Sequence, residues 1–302
     1  MTTALFTSNP TYTVGNFRIW AKKTHDAILS TGITDASSSN SITFGSSSSD
    51  SFDLLPAPTA YNYPGHQVYK FADALQATHP VFIKIGYGAG TNAAYPAIHV
   101  TVGNTHDGSG SVTGPPVTDT DVMLASAAQT DEVSQYMICG DTNRIIVTGP
   151  AWSIETQSLP DEMYFLSVER TKDVNGDDTD EGIIVAMCHQ AATFYWYTMP
   201  FIGLTPTRDT KWPAAVGTNF PASTGGRQIV CPVFPIAGVA PYPGKNVLVT
   251  QDENFTDMDV IPIAIYTDDD VVNYFKHAVG GGTQGFSAPA GITTAVVLQR
   301  WD

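Results

Sequence analysis

Apolar and polar positions alternate with a period of two in "PVFIKIGYG", where Val81, Ile83, Ile85 and Tyr87 share one side while Phe82, Lys84 and Gly86 share the other. "AIHVTVG" repeats the pattern, with Ile98, Val100 and Val102 opposed to His99 and Thr101. Such runs predict strands buried on one face. From Gly65 onward the chain is a succession of short β-rich runs split by Gly, Pro and Asn clusters, including "HQVYKF", "MYFLSVER", "GIIVAMC" and "TAVVLQRW". "SQYMIC" and "RIIVTG" are joined by the turn "GDTN", and "YFLSVERT" and "EGIIVAMC" flank an acidic turn. Both pairs predict antiparallel hairpins.

A different period governs "NFRIWAKKTHDAILSTG", where Phe17, Trp20, Ala21, Ala27 and Ile28 recur near helical spacing, with Asn16 able to open the helix and Gly32 to end it. The Ser-rich "DASSSNSITFGSSSSDSFD" that follows predicts a linker with at most a short strand at Ser41–Phe44. The expected fold is mainly β, an antiparallel β-sandwich-like body with one N-terminal amphipathic helix. Its expected organisation is an arm, helix and linker over residues 1–53 and a β-rich body over 54–302. The long interval 205–226 either subdivides that body or serves as an interaction arm.

Composition narrows the class. The 302 residues carry 29 acidic and 14 basic side chains, a formal charge of −15. This disfavours direct binding of nucleic-acid phosphates, which are gripped by Lys and Arg. Charged residues are 14% of the chain, below the roughly 25% of ordinary soluble domains, so Ser, Thr, Asn and Gly carry much of the surface. Neither a signal core nor an apolar run of membrane-spanning length is visible, so no membrane insertion is expected. Cys139, Cys188 and Cys231 lie far apart in apolar stretches and read as buried reduced thiols.

Candidate chemistry is sparse. "ERTKDVNGDDTDEG" gathers six acidic side chains around Gly176. Asp173, Asn175, Asp177 and Thr179 have the alternate spacing of calcium-binding oxygens. The Gly is misplaced, however, and Ile184 stands where a bidentate Glu belongs, so residues 173–182 read as a solvated hairpin tip. "GGGTQG" is no dinucleotide turn, since no strand–helix context surrounds it, and "GVAPYPGKN" has the wrong spacing for a phosphate loop. The seven histidines form no zinc-protease motif. His106 with Asp107 reads as part of a turn, and Cys188 and His189, adjacent on a strand, face opposite ways. No cofactor is expected. The aromatic run "FYWYTMPF" is too dense for one face of a strand, so it is either doubly buried or an interface. The interface candidates are Phe17, Trp20, Phe194, Trp196 and Trp212.

The elements "VYKFADALQATHPVFIKIGYGAGTNAAYPAIHVTVGNTHDGSGSVTG" and "FLSVERTKDVNGDDTDEGIIV", together with "FRIWAKKTHDAILSTGI", resemble tailed-bacteriophage and prophage virion structural proteins associated with the tail. The resemblance covers about the first two thirds of the chain. It implies a non-enzymatic structural role without fixing the place in the particle; the expected place is the tail or baseplate of a virion assembled from chains made in the host cytoplasm, through contacts with other virion proteins and with copies of itself in a symmetric ring or trimer. The helix would then dock on a neighbour. Alternatives are a receptor-binding adhesin recognising a host surface glycan, a head decoration protein, and a particle-borne glycan hydrolase.

Overall fold

A computed structural model describes residues 1–8, 16–36, 62–89, 96–114, 117–118, 122–123, 134–151, 162–173, 177–188, 194–200, 207–209, 231–232, 247–250, 260–264, 271–276 and 296–300. Strands are numbered along the chain. A seven-stranded sheet is built from β1 (Thr2–Ser8), β10 (Ser134–Asp141), β11 (Arg144–Ala151), β12 (Glu162–Lys172), β13 (Asp178–Cys188), β14 (Phe194–Pro200) and β15 (Thr207–Asp209), paired in that order. A second sheet runs β2 (Thr34–Asp35), β3 (Asn62–Lys70), β4 (Phe82–Ala89), β5 (Pro96–Gly103) and β8 (Val117–Thr118), with β9 (Val122–Met123) also pairing with β5. The small hairpin β6 (Thr105–His106) and β7 (Val112–Thr113) follows β5.

In the last third, β16 (Cys231–Pro232), β17 (Val247–Thr250), β20 (Val296–Arg300), β19 (Val271–Lys276) and β18 (Val260–Ala264) form a five-stranded sheet. Every described pairing is antiparallel. The protein is mainly β, with α1 (Asn16–Ser30) the one α-helix among the described residues.

The alternation read from the sequence sets the inner faces. Val81, Ile83, Ile85 and Tyr87 and then Ile98, Val100 and Val102 are all buried, and they join Tyr136, Ile138, Ile145, Val147, Leu166, Val168, Ile183 and Val185 from the first sheet in one hydrophobic cluster. That shared cluster makes the two sheets the layers of a sandwich. The hairpin β10–β11 has a two-residue connection, shorter than the four-residue turn expected, because Asp141 still pairs with Arg144. The Asp141 carboxylate accepts the Asn143 N–H at 3.2 Å and the Arg144 Nε–H at 2.6 Å, which stabilises the tight turn. β12 and β13 pair with a register shift between Arg170 and Lys172.

The N-terminal segment, expected as an arm with a docking helix, belongs instead to the body. β1 pairs with β10 along its full length. Trp20 is fully buried, edge-on to Tyr87 of the second sheet at 6.2 Å and to Tyr136 of the first at 5.8 Å. Ala21, Ala27 and Ile28 complete the buried helix face. The described part of the apolar stripe, Trp20, Ala21, Ala27 and Ile28, is buried within the chain, which corrects the reading of the helix as a docking element for a neighbour. Gly32 ends the helix in a left-handed conformation, φ +104°, after the Thr31 hydroxyl has donated to the Ile28 carbonyl at 2.7 Å. Inside, the Tyr69 hydroxyl lies between His25 Nδ1, at 3.1 Å, and the Tyr87 hydroxyl.

Candidate functional site

β1 is an edge strand among the described residues, and its sequence "TTALFTS" carries no charge and no proline. Natural edge strands are commonly blunted by charges, prolines or bulges, because their outward N–H and C=O groups offer a template for another chain. Ala4 and Phe6 point inward, where Phe6 stacks on Tyr136 at 5.4 Å. Leu5 points outward, 47% exposed, and is the exposed large hydrophobic of the described residues. The Lys23 ammonium donates to the Thr7 carbonyl at 2.7 Å, so one end of the strand is tied to the helix. An uncharged strand at the edge of the described sheet, with an apolar side chain on its outer face, is suited to adding a strand from another molecule.

The outer face of the second sheet gathers ionisable groups. His66 and His99 flank Gly86 in register, and the Tyr63 ring lies 5.4 Å from that of His99. Residues 104–114 fold back over this face. Val112 packs with Ala36, Val68 and Phe82, while the His106 ring stands 5.4 Å from that of Phe82. Gly110, at φ +101°, lies so close to the His66 ring that a Cβ there would collide with it. The loop is held by Asp107, whose carboxylate accepts the Ser109 N–H at 2.7 Å, the Ser109 hydroxyl at 2.6 Å and the Ser111 N–H at 2.9 Å. Those bonds hold its carboxyl well below the usual range.

Burial, and then the neighbouring Lys84 and His106, push the His66 imidazole below its ordinary 6.5, against the opposing pull of Asp107. Burial also lowers Lys84. On α1, burial lowers His25, opposed by Asp35 and Asp26 and helped by Lys22. Both histidines therefore bind protons less readily in the folded than in the unfolded chain. Stability they contribute is complete above pH 6.5 and is lost as pH falls from there toward their folded-state values, at no more than about 1.4 kcal/mol per pH unit for each. Urea midpoints should fall between about pH 7 and pH 5, and His25→Gln with His66→Gln should flatten that dependence. A midpoint constant across this window in the parent protein would contradict the assignment.

A third cluster occupies one end of the sandwich. Glu169, Arg170, Thr171 and Lys172 are all buried although consecutive and polar. The Arg170 guanidinium is clasped by Asp73 through Nε and, at 2.8 Å, through Nη2. Its Nη1 donates to the His79 carbonyl at 3.0 Å, and its Cζ lies 5.4 Å from the centre of the Phe71 ring. This ties β12 of one sheet to the 71–81 connection of the other. Lys172 and Asn143 both donate to Asp178.

The residues singled out in the sequence fall in several places. Trp20 is a core residue, not an interface, because both sheets enclose it. Phe17 lies in the first turn of α1. Phe194 and Trp196 lie on β14, between β13 and β15, with Trp196 opposite Ala186 and Asp209. Trp212 and Asn175 are outside the described residues, as are the sequences 238–246 and 280–285 and the segment Ser41–Phe44. Asp173 and Asp177 do meet, but to close the turn: Asp173 Oδ1 accepts the Asp177 N–H at 2.9 Å, and the Asp173 N–H donates to the Asp177 carbonyl at 2.9 Å. Among the described residues no group of three or more His, Cys, Asp or Glu side chains is placed to hold a metal ion. Cys139 is buried. No described helix is long and apolar enough to cross a membrane.

Sequence reasoning missed the edge position of β1 and the gathering of His66, Lys84 and His106. The signal for the first was available, a seven-residue uncharged run at the start of the chain. The second needed the hairpin's fold-back, which no local spacing encodes. Set against protein-family models and against curated proteins, the chain matches none.

Proposed function

We propose that this protein is a non-enzymatic structural component of an assembled particle, acting through protein–protein contacts with copies of itself and with other particle proteins. The observation that carries the reading is the uncharged β1 edge with Leu5 exposed on it. Pairing at that edge adds main-chain hydrogen bonds without demanding a particular side-chain code, which suits repeated contacts in a symmetric assembly. The resemblance of residues 68–114 and 165–185 to virion structural proteins supports a tailed bacteriophage as the particle, and the place we propose within it is the tail or baseplate.

Two measurements test this. Light scattering on the purified chain should give a closed oligomer that Leu5→Lys weakens at least tenfold, equivalent to about 1.4 kcal/mol, with an unchanged circular dichroism spectrum. A parent protein that stays monomeric at all concentrations, or an oligomer indifferent to the substitution, removes the β1 contact. Cryo-EM of particles from an induced lysate should place the chain in a ring at the tail or baseplate. Intact particles without it remove the virion role.

A further inference from the structure

At the end of the sandwich where β10 turns into β11 and β12 approaches β13, three side chains converge that no part of the structural reading requires. Lys172 closes β12 and lies opposite Asp178, which opens β13. Asn143 is the second residue of the β10–β11 connection. The Asp178 carboxylate is divided between them: Oδ1 accepts from Lys172 Nζ, and Oδ2 accepts from Asn143 Nδ2. The Lys172 side chain is 3% exposed and that of Asp178 24%. Asn143 Oδ1 is buried with no hydrogen-bond partner.

An ion pair would need only the amine and the acid. Here the acid also holds the nitrogen of a carboxamide whose oxygen has been stripped of water. That is the set of groups an acyl transfer needs: a nucleophilic amine, an electrophilic carbonyl and a proton carrier touching both nitrogens. We infer that Lys172 and Asn143 become joined by an intramolecular isopeptide bond, with Asp178 as the proton-transfer group.

The step balances without any further reactant. Lys172 Nζ passes a proton to Asp178, a transfer favoured where burial penalises separated charges. The neutral amine then attacks Asn143 Cγ, and the new C–N bond forms as the carbonyl electron pair moves to Oδ1. Asp178 delivers the proton to Nδ2, the pair on oxygen reforms the carbonyl, and the Cγ–Nδ2 bond breaks. The second proton of Nζ leaves with the departing nitrogen through the same carboxylate. One ammonia is released, and a secondary amide remains. No oxidation occurs. Holding amine, amide and acid together at one part-buried site supplies the proximity that separate side chains in water do not have. The product would fasten the β10–β11 turn to the end of β12, a covalent staple across the strand ends of the large sheet.

The test is the intact mass of the full-length purified protein, measured under denaturing conditions after allowing for the initiator Met. The expected result is a mass about 17 Da below that of the sequence, one ammonia lost. Trypsin should release a branched peptide containing both Asn143 and Lys172, without cleavage after Lys172. Lys172→Arg and Asp178→Ala should each return the full mass. Since a misfolded variant would lose the bond as well, the branched peptide from the parent protein carries the decision. A parent protein at full sequence mass overturns the proposal. So does a loss of about 18 Da in a peptide linking Lys172 to Asp178, which would be condensation with release of water. A loss of ammonia that persists in Lys172→Arg overturns it too, since it would mark succinimide formation at another Asn such as Asn175.

Discussion

Replacing Asp73 by Ala is expected to destabilise the protein by about 3–5 kcal/mol, the range seen when one partner of a buried ion pair is removed. Arg170 cannot escape the loss by deprotonating, since a guanidinium stays charged at any working pH. Its side chain is 0% exposed and that of Asp73 11%, so water cannot replace the carboxylate. The His79 carbonyl and the Phe71 ring would still face the guanidinium, but neither carries a compensating charge. Urea denaturation should show the midpoint falling with little change in slope. The double variant Asp73→Ala, Arg170→Met should recover most of the loss, because an apolar side chain of similar length can occupy the site without a charge to satisfy. A loss under about 1 kcal/mol in Asp73→Ala, the scale of an exposed pair, would mean that the guanidinium finds water or another acid, and that the two sheets are not joined there.

The same pair shows why parts of this molecule were legible and others were not. The faces of β4 and β5 could be read because alternation is a local property, and Ile83, Ile85, Val100 and Val102 are buried as that alternation requires. Both hairpins were announced by their turn residues, and α1 by its stripe and terminal glycine. Arg170 was visible only as a charge beside an acidic loop. Its partner lies 97 residues away, and a contact of that separation leaves no periodic trace. β1 failed for the same reason, since its partner β10 is contributed from beyond the whole second sheet. The helix illustrates a different limit. A stripe says that an apolar face needs covering, but not whose surface covers it. For the candidate sites, the residue types were on view while their meeting was not: Asn143, Lys172 and Asp178 come from two hairpins, and His66 meets Gly110 only because residues 104–114 fold back.

Which surface covers the helix decides the second large effect. Trp20→Ala is expected to cost about 3–5 kcal/mol, as for other large aromatic side chains removed from a core. The indole touches both layers, edge-on to Tyr87 and to Tyr136, a geometry that adds to the area it buries. Truncation would open a void where helix and both sheets meet, and the surrounding rings, pinned by strand pairing on each side, have little freedom to close it. Near-ultraviolet circular dichroism should lose much of its aromatic signal while the far-ultraviolet β spectrum persists. Amide exchange in α1 should rise more than in β12 or β13, because the helix is held to the body by this face rather than by a ladder of backbone bonds. A docking helix would behave otherwise: Trp20→Ala would leave the stability of the isolated chain unchanged and weaken only its association with a partner. That outcome would return the helix to the surface and sink the placement of Trp20 in the core.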